Sequence, residues 1–206
     1  MPLDMVDTCL CMGAGLNIAQ GVEKVEPDTT CFAFVGDSTF FASAITGVVN
    51  AVYNQANMVL IVLDNSTTAM TGHQPHPGTG QTVMGEIVQK INIEQVLRGI
   101  GVTEIETINP LELEASVSCV KRMAEKSGVR AIIFKAPCIA VTKPKAPLHV
   151  NQDSCIGCKK CIRDLGCPAI VMNDGKICID ASMCTGCHLC SQVCPVCAIA
   201  GGDDHE

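Results

Sequence analysis

Two runs of cysteine near the C-terminus form the clearest chemical pattern in the sequence. The first run consists of Cys155, Cys158, Cys161 and Cys167, and the second of Cys184, Cys187, Cys190 and Cys194. A proline follows the last cysteine of each run. Thiolates at this spacing are ligands for soft metals and for iron–sulfur clusters. The sequence therefore indicates metal or cluster chemistry in residues 149–206, where the two runs form an internal repeat.

The spacing within each run distinguishes the kinds of metal site. Three cysteines at C-x2-C-x2-C spacing followed by Cys-Pro are typical of bacterial two-cluster ferredoxins, in which the fourth cysteine binds the other cluster. We therefore predict two 4Fe–4S clusters. The predicted ligands of the first are Cys155, Cys158, Cys161 and Cys194, and those of the second are Cys184, Cys187, Cys190 and Cys167. Zinc, which usually shows isolated C-x2-C pairs, and a disulfide framework are the alternatives. Cys178 and Cys197 lie outside the ligand set and are predicted to be buried packing residues.

Polar residues follow two apolar segments in the first part of the chain. Gly36, Asp37 and Ser38 come directly after residues 31–35, and Asp64 and Asn65 come directly after residues 58–63. One helical segment separates the two, as in a βαβ unit with parallel strands. Side chains at the carboxyl ends of such strands line the ligand crevice of open α/β sheets. Asp37 and Asn65, 28 positions apart, would suit a hard divalent cation that also holds a diphosphate, whereas an ordinary strand-end turn is the alternative.

The elements that must position these residues alternate along the chain. Apolar strands are predicted near residues 31–35, 58–63, 102–108 and 131–135, and helices over 42–54, 88–99 and 111–126. This alternation is typical of an α/β fold with a parallel sheet covered on both faces. We predict an α/β domain over residues 1–140, a Pro- and Lys-containing linker over 141–148, and a small α+β ferredoxin-like domain over 149–206.

Composition excludes several classes of function. The formal charge of −7, without a cluster of Lys or Arg, argues against nucleic-acid binding. The longest apolar runs are too short to cross a bilayer, and no basic stretch precedes an apolar core at the N-terminus. We therefore expect a cytoplasmic protein without membrane contact. Two clusters with their thiolates would add further negative charge, so the sequence gives no reason to expect docking through a basic patch.

Three features together resemble a known family. They are the Gly-Asp-x motif with Asn65 28 positions after Asp37, the stretch from Leu63 to Gly78, and the trailing cysteine repeat. In this order they resemble the alpha subunit of indolepyruvate ferredoxin oxidoreductases, over nearly the whole chain. The resemblance implies a thiamine-diphosphate-binding α/β domain followed by a bacterial ferredoxin-like domain. Ser38 departs from the glycine of the general motif, and Ala42 stands where the family has His.

The resemblance also implies roles for individual residues. Asp37, the Asn65 side chain and the Thr67 carbonyl would bind Mg²⁺. Gly36, Ser38, Thr39 and Thr71 are assigned to the cofactor site by the same resemblance, with Ser38 and Thr39 beside the diphosphate. His73 and His76 lie in the loop that follows, where either is a candidate to hold the substrate carboxylate or move a proton. A purely structural role for each histidine is the alternative.

The implied reaction is oxidative decarboxylation of an aryl 2-oxo acid with coenzyme A, with electrons leaving through both clusters to ferredoxin. The pyrimidine half of the cofactor site, including its glutamate, is expected from another chain or segment, and a beta subunit completes the family's enzyme. Pyruvate or another 2-oxo acid is an alternative substrate. An electron-transfer subunit with a non-catalytic α/β domain is a second alternative, and a non-oxidative decarboxylase a third.

Overall fold

A computed structural model describes residues 5–201 of the chain. These residues form two compact units, one spanning Asp7–Val141 and the other beginning at Thr142. Among the described residues, no helix combines the length and the apolar character needed to cross a membrane. The domain limits predicted from the sequence stay a prediction. In the structure, the segment expected to be a linker is bonded within the second unit, since the Lys145 N–H donates to the Thr185 carbonyl (3.2 Å).

The first unit is built on a parallel sheet with the strand order β1-β2-β4-β3. Its strands are β1 (Cys31–Gly36), β2 (Met58–Asp64), β3 (Glu104–Ile108) and β4 (Val129–Lys135). All of β2 except Leu63 is buried, as expected for a central strand covered on both faces. The predicted α/β parallel sheet is confirmed. Because β1 and β2 are parallel neighbours, Gly36 lies opposite Leu63, and both strands deliver their following residues to the same edge.

Helices cover the two faces of this sheet. They are α1 (Ala14–Val25), α2 (Asp37–Thr39), α3 (Ile45–Tyr53), α4 (Ile93–Ile100) and α5 (Leu113–Glu125). Leu16 of α1, Val48 of α3 and Leu97 of α4 pack in the core on one face. Cys119 and Met123 of α5 pack on the other. A π-helical turn, Phe40–Ala44, joins α2 to α3, so that one continuous helical segment begins at Asp37.

Two helices differ from the sequence-based expectation at their start. The segment predicted over residues 42–54 begins at Asp37, which places Ser38 and Thr39 inside its first turn. The helix predicted over residues 88–99 begins at Ile93, because the Asn92 side chain accepts a hydrogen bond from the Gln95 N–H (3.0 Å) and caps it there.

The second unit contains two short antiparallel pairs and two short helices. In chain order they are β5 (Leu148–Val150), α6 (Lys160–Leu165), β6 (Ile170–Asn173), β7 (Lys176–Ile179), α7 (Leu189–Val193) and β8 (Ile199–Gly201). β5 pairs with β8 and β6 pairs with β7. Each helix begins within one cysteine run, so the sequence repeat is also a structural repeat. The expected small α+β unit is therefore present.

Candidate functional site

A buried carboxylate stands at the edge of the sheet where β1 ends. Asp37 is only 2% exposed and opens α2 directly after Gly36. Its Oδ1 accepts a hydrogen bond from the Ser38 N–H (2.8 Å), and its Oδ2 accepts one from the Ser66 N–H (2.7 Å). Ser66 belongs to the loop after β2, so these contacts join the ends of two neighbouring strands. The predicted juxtaposition of these two strand ends is therefore observed.

A second carboxylate, which the sequence interpretation missed, shares the same amide. The Ser66 N–H also lies 3.1 Å from Asp64 Oδ1, and the Ser66 hydroxyl donates to that oxygen (3.2 Å). Ser66 has φ 61°, in the left-handed region that side-chain-bearing residues rarely adopt. This conformation turns its N–H toward both carboxylates. Strained backbone of this kind is concentrated at functional sites.

The electrostatics of the pair favour a cation. Burial raises the pKa of the Asp37 carboxyl above its usual value, and the negative charge of Asp64 raises it further, against the lowering effects of the Ser38 N–H, His76 and the Ser66 N–H. Asp64 is partly balanced by Lys135, whose Nζ lies 3.1 Å from Asp64 Oδ2 at the end of β4. A divalent cation at Asp37 would relieve the remaining unfavourable burial of charge.

The other predicted cofactor residues lie in the same two loops. The Asn65 Oδ1 accepts from the Thr67 N–H (3.2 Å), and Thr67 is buried with its carbonyl accepting from the Ala69 N–H (3.0 Å). Ser38 accepts a hydrogen bond from the Thr68 hydroxyl (3.0 Å), which ties the start of the helix to the second loop. Thr39 is buried in the same helical turn. Thr68 is thus a further residue that sequence reasoning did not find.

The two candidate histidines have different surroundings. His76 is 8% exposed, its ring stacks on Phe41 with centroids 5.8 Å apart, and its Nδ1 accepts from the Gly78 N–H (3.2 Å). Its Nε2 lies 3.1 Å from Asp37 Oδ2 but lacks hydrogen-bond geometry to any partner in the described chain. This buried polar nitrogen therefore faces the carboxylate.

His73 and Thr71 lie on the exposed part of the loop. His73 is exposed with φ 64°, and its N–H donates to the Thr68 carbonyl (3.0 Å). Thr71 is exposed and its hydroxyl donates to Gln74 Oε1 (2.7 Å). In the described chain neither side chain is brought to Asp37, so the proposed cofactor contact of Thr71 and the catalytic role of His73 stay predictions.

The residues present fit Mg²⁺ and a diphosphate. Mg²⁺ prefers oxygen ligands, and Asp37, Asn65 and Thr67 offer a carboxylate, an amide oxygen and a carbonyl within the two adjoining loops. A Cβ built on Gly36 would meet no atom within 4 Å, and the residue has φ −74°, so neither packing nor backbone conformation requires glycine. Close approach of a bulky ligand group would explain it.

The first group of predicted cluster ligands surrounds a cavity in the second unit. Cys155, Cys158, Cys161 and Cys194 all line it. Burial raises the pKa of the Cys161 thiol, and the neighbouring charges of Cys158 and Cys194 raise it further. The Ala198 N–H donates to Cys194 Sγ (3.2 Å). The fourth cysteine of the second run is therefore close to the cysteines of the first run, as a crossed ligand set requires.

The second group shows the converse relation. Burial, followed by the charges of Cys187, Cys167 and Cys184, raises the pKa of the Cys190 thiol to about 11. The Leu148 N–H lies 3.5 Å from Cys184 Sγ. Within residues 5–201, no group of three or more His, Cys, Asp or Glu side chains is arranged to hold a single metal ion. A cubane cluster takes each thiolate on a separate iron, so its ligands need not meet at one point.

The cysteines outside the two ligand sets correct one expectation. Cys178 is half-buried, but Cys197 is exposed, so the prediction that Cys197 is buried was wrong. Its φ of 50° and the hydrogen bond from its N–H to the Cys194 carbonyl (3.3 Å) make a tight turn that directs the residue outward.

Comparisons with known proteins identify similar sequences. The family model described as thiamine pyrophosphate enzyme, C-terminal TPP binding domain, matches residues 2–134. The chain is 39% identical over 200 residues to the indolepyruvate oxidoreductase subunit IorA of Archaeoglobus fulgidus, covering 94% of this chain and 32% of that protein. The subunit of the same name from Methanothermobacter thermautotrophicus is 40% identical over 200 residues, covering 96% and 32%. The resemblance stated from the motifs is confirmed, and the chain spans about a third of the length of these relatives.

One solved structure has a fold similar to part of this chain. It is the 2-oxoglutarate:ferredoxin oxidoreductase from Magnetococcus marinus, determined with 2-oxoglutarate, coenzyme A and succinyl-CoA bound. It matches with a TM-score of 0.56 and 19% identity, over 64% of this chain and 47% of that chain. At this level of identity the similarity is evidence for the fold alone.

Proposed function

The chain belongs to the family of thiamine pyrophosphate enzymes, since residues 2–134 match the model of that family's TPP binding domain, and on this basis we propose that it is part of a 2-oxo acid:ferredoxin oxidoreductase. The proposed reaction is oxidative decarboxylation of an aryl 2-oxo acid, such as indolepyruvate, with coenzyme A. The similarity to indolepyruvate oxidoreductase subunits supports this substrate. Pyruvate or another 2-oxo acid is the alternative, which substrate comparison would distinguish.

The proposed roles in the first unit are those that the family resemblance implies, and the geometry at the strand ends supports them. Asp37, Asn65 and the Thr67 carbonyl would hold Mg²⁺, and Gly36, Ser38 and Thr39 would lie against the diphosphate. Ser66 and Thr68 keep the two loops together through Asp37 and Ser38. When bound, thiamine diphosphate supplies the electron sink that decarboxylation of a 2-oxo acid requires. His76, whose buried Nε2 lies 3.1 Å from Asp37 Oδ2, would hold the substrate carboxylate or move a proton.

The proposed role of the second unit is electron transfer. Its eight repeat cysteines would hold two 4Fe–4S clusters, which accept electrons one at a time and pass them to ferredoxin. The pyrimidine half of the thiamine site would come from a further segment or subunit, and a beta subunit would complete the enzyme. The proposal places this complex in the cytoplasm.

The observation that carries the proposal is the buried Asp37, joined by one shared amide to Asp64 at the next strand end. The experiment is calorimetric titration of the anaerobically reconstituted chain with Mg²⁺ and thiamine diphosphate, alone and with the pyrimidine-bearing partner. Asp37→Asn should abolish Mg²⁺-dependent binding, whereas Asp28→Asn, a matched change at an exposed turn, should leave it intact.

Two results would contradict the proposal. Equal binding by Asp37→Asn and the unaltered chain would show that the carboxylate does not hold the metal. Absence of binding even with the partner present, in a chain with intact clusters, would favour the electron-transfer subunit with a non-catalytic α/β domain. Activity of the assembled complex with indolepyruvate, pyruvate and 2-oxoglutarate would then identify the substrate class.

A further inference from the structure

The two cysteine runs differ sharply in charge. Between Cys155 and Cys167 the first run contains Lys159, Lys160 and Arg163. Between Cys184 and Cys194 the second run contains neither Lys nor Arg. We call the three cations of the first run the basic rim. In a chain with a formal charge of −7, the first run thus carries three cations within its own sequence, whereas Lys145, which lies against the second run, belongs to the segment before β5.

The basic rim lies next to the cavity of the first cluster. Lys159 lines that cavity together with its four cysteines. Lys159 caps the start of α6 with φ 60°, Lys160 is the first residue of that helix, and the Arg163 N–H donates to the Lys159 carbonyl (3.1 Å), so the three cations lie within one helical turn of each other. All three side chains are exposed, and none forms an ion pair within the part of the chain that the structure describes. The one acid on α6, Asp164, leaves a positive balance there.

Exposed apolar side chains border the same cavity. Ile156 is 65% exposed and Val196 is 37% exposed, and both line the cavity with Lys159. An apolar centre with a charged margin is the usual composition of a transient protein–protein interface. The margin here is positive, whereas the surface of the whole chain is acidic.

We infer that Ile156, Val196 and the basic rim form the docking surface for a small acidic iron–sulfur carrier protein. This inference rests on the proposed function. The basic rim attracts an acidic carrier electrostatically and favours the orientation in which the carrier's acidic surface faces the rim. The net negative charge of the rest of the chain disfavours binding of the carrier elsewhere. Each transfer oxidises one reduced cluster of the chain by one electron and reduces the carrier's centre by one electron, with no bond made or broken. Electrons then leave the chain from the cluster of the first run. The carrier docks on a basic patch, which the net charge gave no reason to expect.

A competing explanation is that the three cations only compensate the charge of the neighbouring cluster. Under that explanation, changing them shifts the reduction potential of the first cluster and leaves association with the carrier unchanged. Under the docking inference, changing the three cations weakens association of the chain with the carrier, and this association depends on ionic strength. The two explanations therefore predict different responses in separate measurements.

The test compares two charge-reversed variants of the full, anaerobically reconstituted chain. Lys160→Glu/Arg163→Glu alters the basic rim. Lys121→Glu/Lys176→Glu makes the same change in net charge at two exposed positions outside it. A bacterial two-cluster ferredoxin with negative net charge serves as the carrier. Its affinity for the oxidised chain is measured by calorimetry, and electron transfer from the dithionite-reduced, desalted chain is followed by stopped flow at several salt concentrations.

At low salt, Lys160→Glu/Arg163→Glu should slow second-order transfer by about tenfold or more and lose most of its salt dependence. The matched variant should change less than about twofold. Transfer to metronidazole, a neutral acceptor, should be unchanged in both. Equal slowing by both variants, or an unchanged affinity with a shifted cluster potential, would overturn the inference. If the glutamate variant fails to assemble clusters, Lys160→Gln/Arg163→Gln gives the same comparison.

Dithionite reduces the clusters without any thiamine chemistry. The docking test therefore succeeds or fails independently of thiamine diphosphate binding. A chain that binds the carrier through the rim but lacks the thiamine site would refute the proposed function alone. A chain that binds thiamine diphosphate but shows no effect of the rim would refute the docking inference alone.

Discussion

Removing cysteines in pairs tests which thiolates share a cluster. In the structure Cys194 lines the same cavity as Cys161, and the charge of Cys167 is among those that raise the pKa of the Cys190 thiol, after burial. This proximity supports the proposal that each run contributes its fourth ligand to the cluster of the other run. Two fully loaded clusters contain about eight iron atoms per chain, four in each. The crossed assignment predicts how many remain when two particular ligands are lost.

Cys167→Ala/Cys184→Ala removes two ligands from one cluster under the crossed assignment. That cluster should be lost, and about four irons should remain in one intact cluster. Cys155→Ala/Cys167→Ala removes one ligand from each cluster instead. It should leave no intact four-iron cluster, because each retains only three protein thiolates. The uncrossed assignment predicts the opposite result for the two variants.

The assay combines iron and sulfide analysis with electron paramagnetic resonance of the reduced chain. An intact cluster beside an empty site gives the spectrum of an isolated reduced cluster, without spin coupling. Three-iron clusters, which form when one ligand is missing, are recognised in the oxidised state. The reasoning is refuted if Cys155→Ala/Cys167→Ala keeps one intact four-iron cluster while Cys167→Ala/Cys184→Ala keeps none.

Three further predictions concern the first unit. Gly13→Ala should lower the free energy of unfolding in urea by about 1–2 kcal/mol, because Gly13 has φ 89° and a Cβ would clash with Ser43 Oγ; adding Ser43→Ala should recover only the part due to the clash. Arg130→Met should lower it by about 3 kcal/mol, since the buried guanidinium donates to the Met123 and Gly128 carbonyls, and a loss below about 1 kcal/mol would contradict this role. Burial and a hydrogen bond to Glu106 raise the pKa of Cys119 from 9.0 to about 11, so the folded state holds its proton more tightly and stability should fall between these pH values, by up to about 2 kcal/mol. Chemical denaturation across this pH range should show that slope, and Cys119→Ala should lack it.

The strand ends were predictable because their chemistry depends on local order in the chain. Asp37 and Asn65 follow apolar strands directly, and parallel pairing brings them to one edge. Asp64 and Ser66 were not found in this way. Their role depends on the left-handed backbone of Ser66, which aims one N–H at two carboxylates from different strands. No spacing rule in the sequence specifies that direction.

Helix α1 also escaped prediction. Its sequence contains Gly15 and Gly21, each of which lowers helix propensity by about 1 kcal/mol relative to Ala. The helix forms because Leu16 and Ala19 are buried in the core against the sheet. Tertiary packing thus outweighs a weak local preference, as it often does in short helices.

For the predicted cluster ligands, by contrast, local sequence was more informative than tertiary packing. Ligands for one cluster lie close together in the chain, so their spacing already indicates the geometry. The surroundings of the cluster could not be predicted from the cysteine spacing. The outward turn at Cys197 and the exposure of Ile156 beside Lys159 depend on how the short loops fold over the cavity. Net charge gave no indication of the basic rim, since it sums over the whole chain and does not record where exposed cations lie close together.

The strand order of the parallel sheet has a consequence for how the chain folds during synthesis. β4 is the last strand of this sheet to be made, yet it lies between β2 and β3, pairing Val129 with Met58 and Arg130 with Glu104. Until it emerges from the ribosome, β2 lacks one neighbour and β3 has none in the sheet. Pairing across such sequence distances is slow, and unpaired apolar strands are prone to aggregate. Nascent chains that stop before residue 129 are thus the ones most in need of a chaperone.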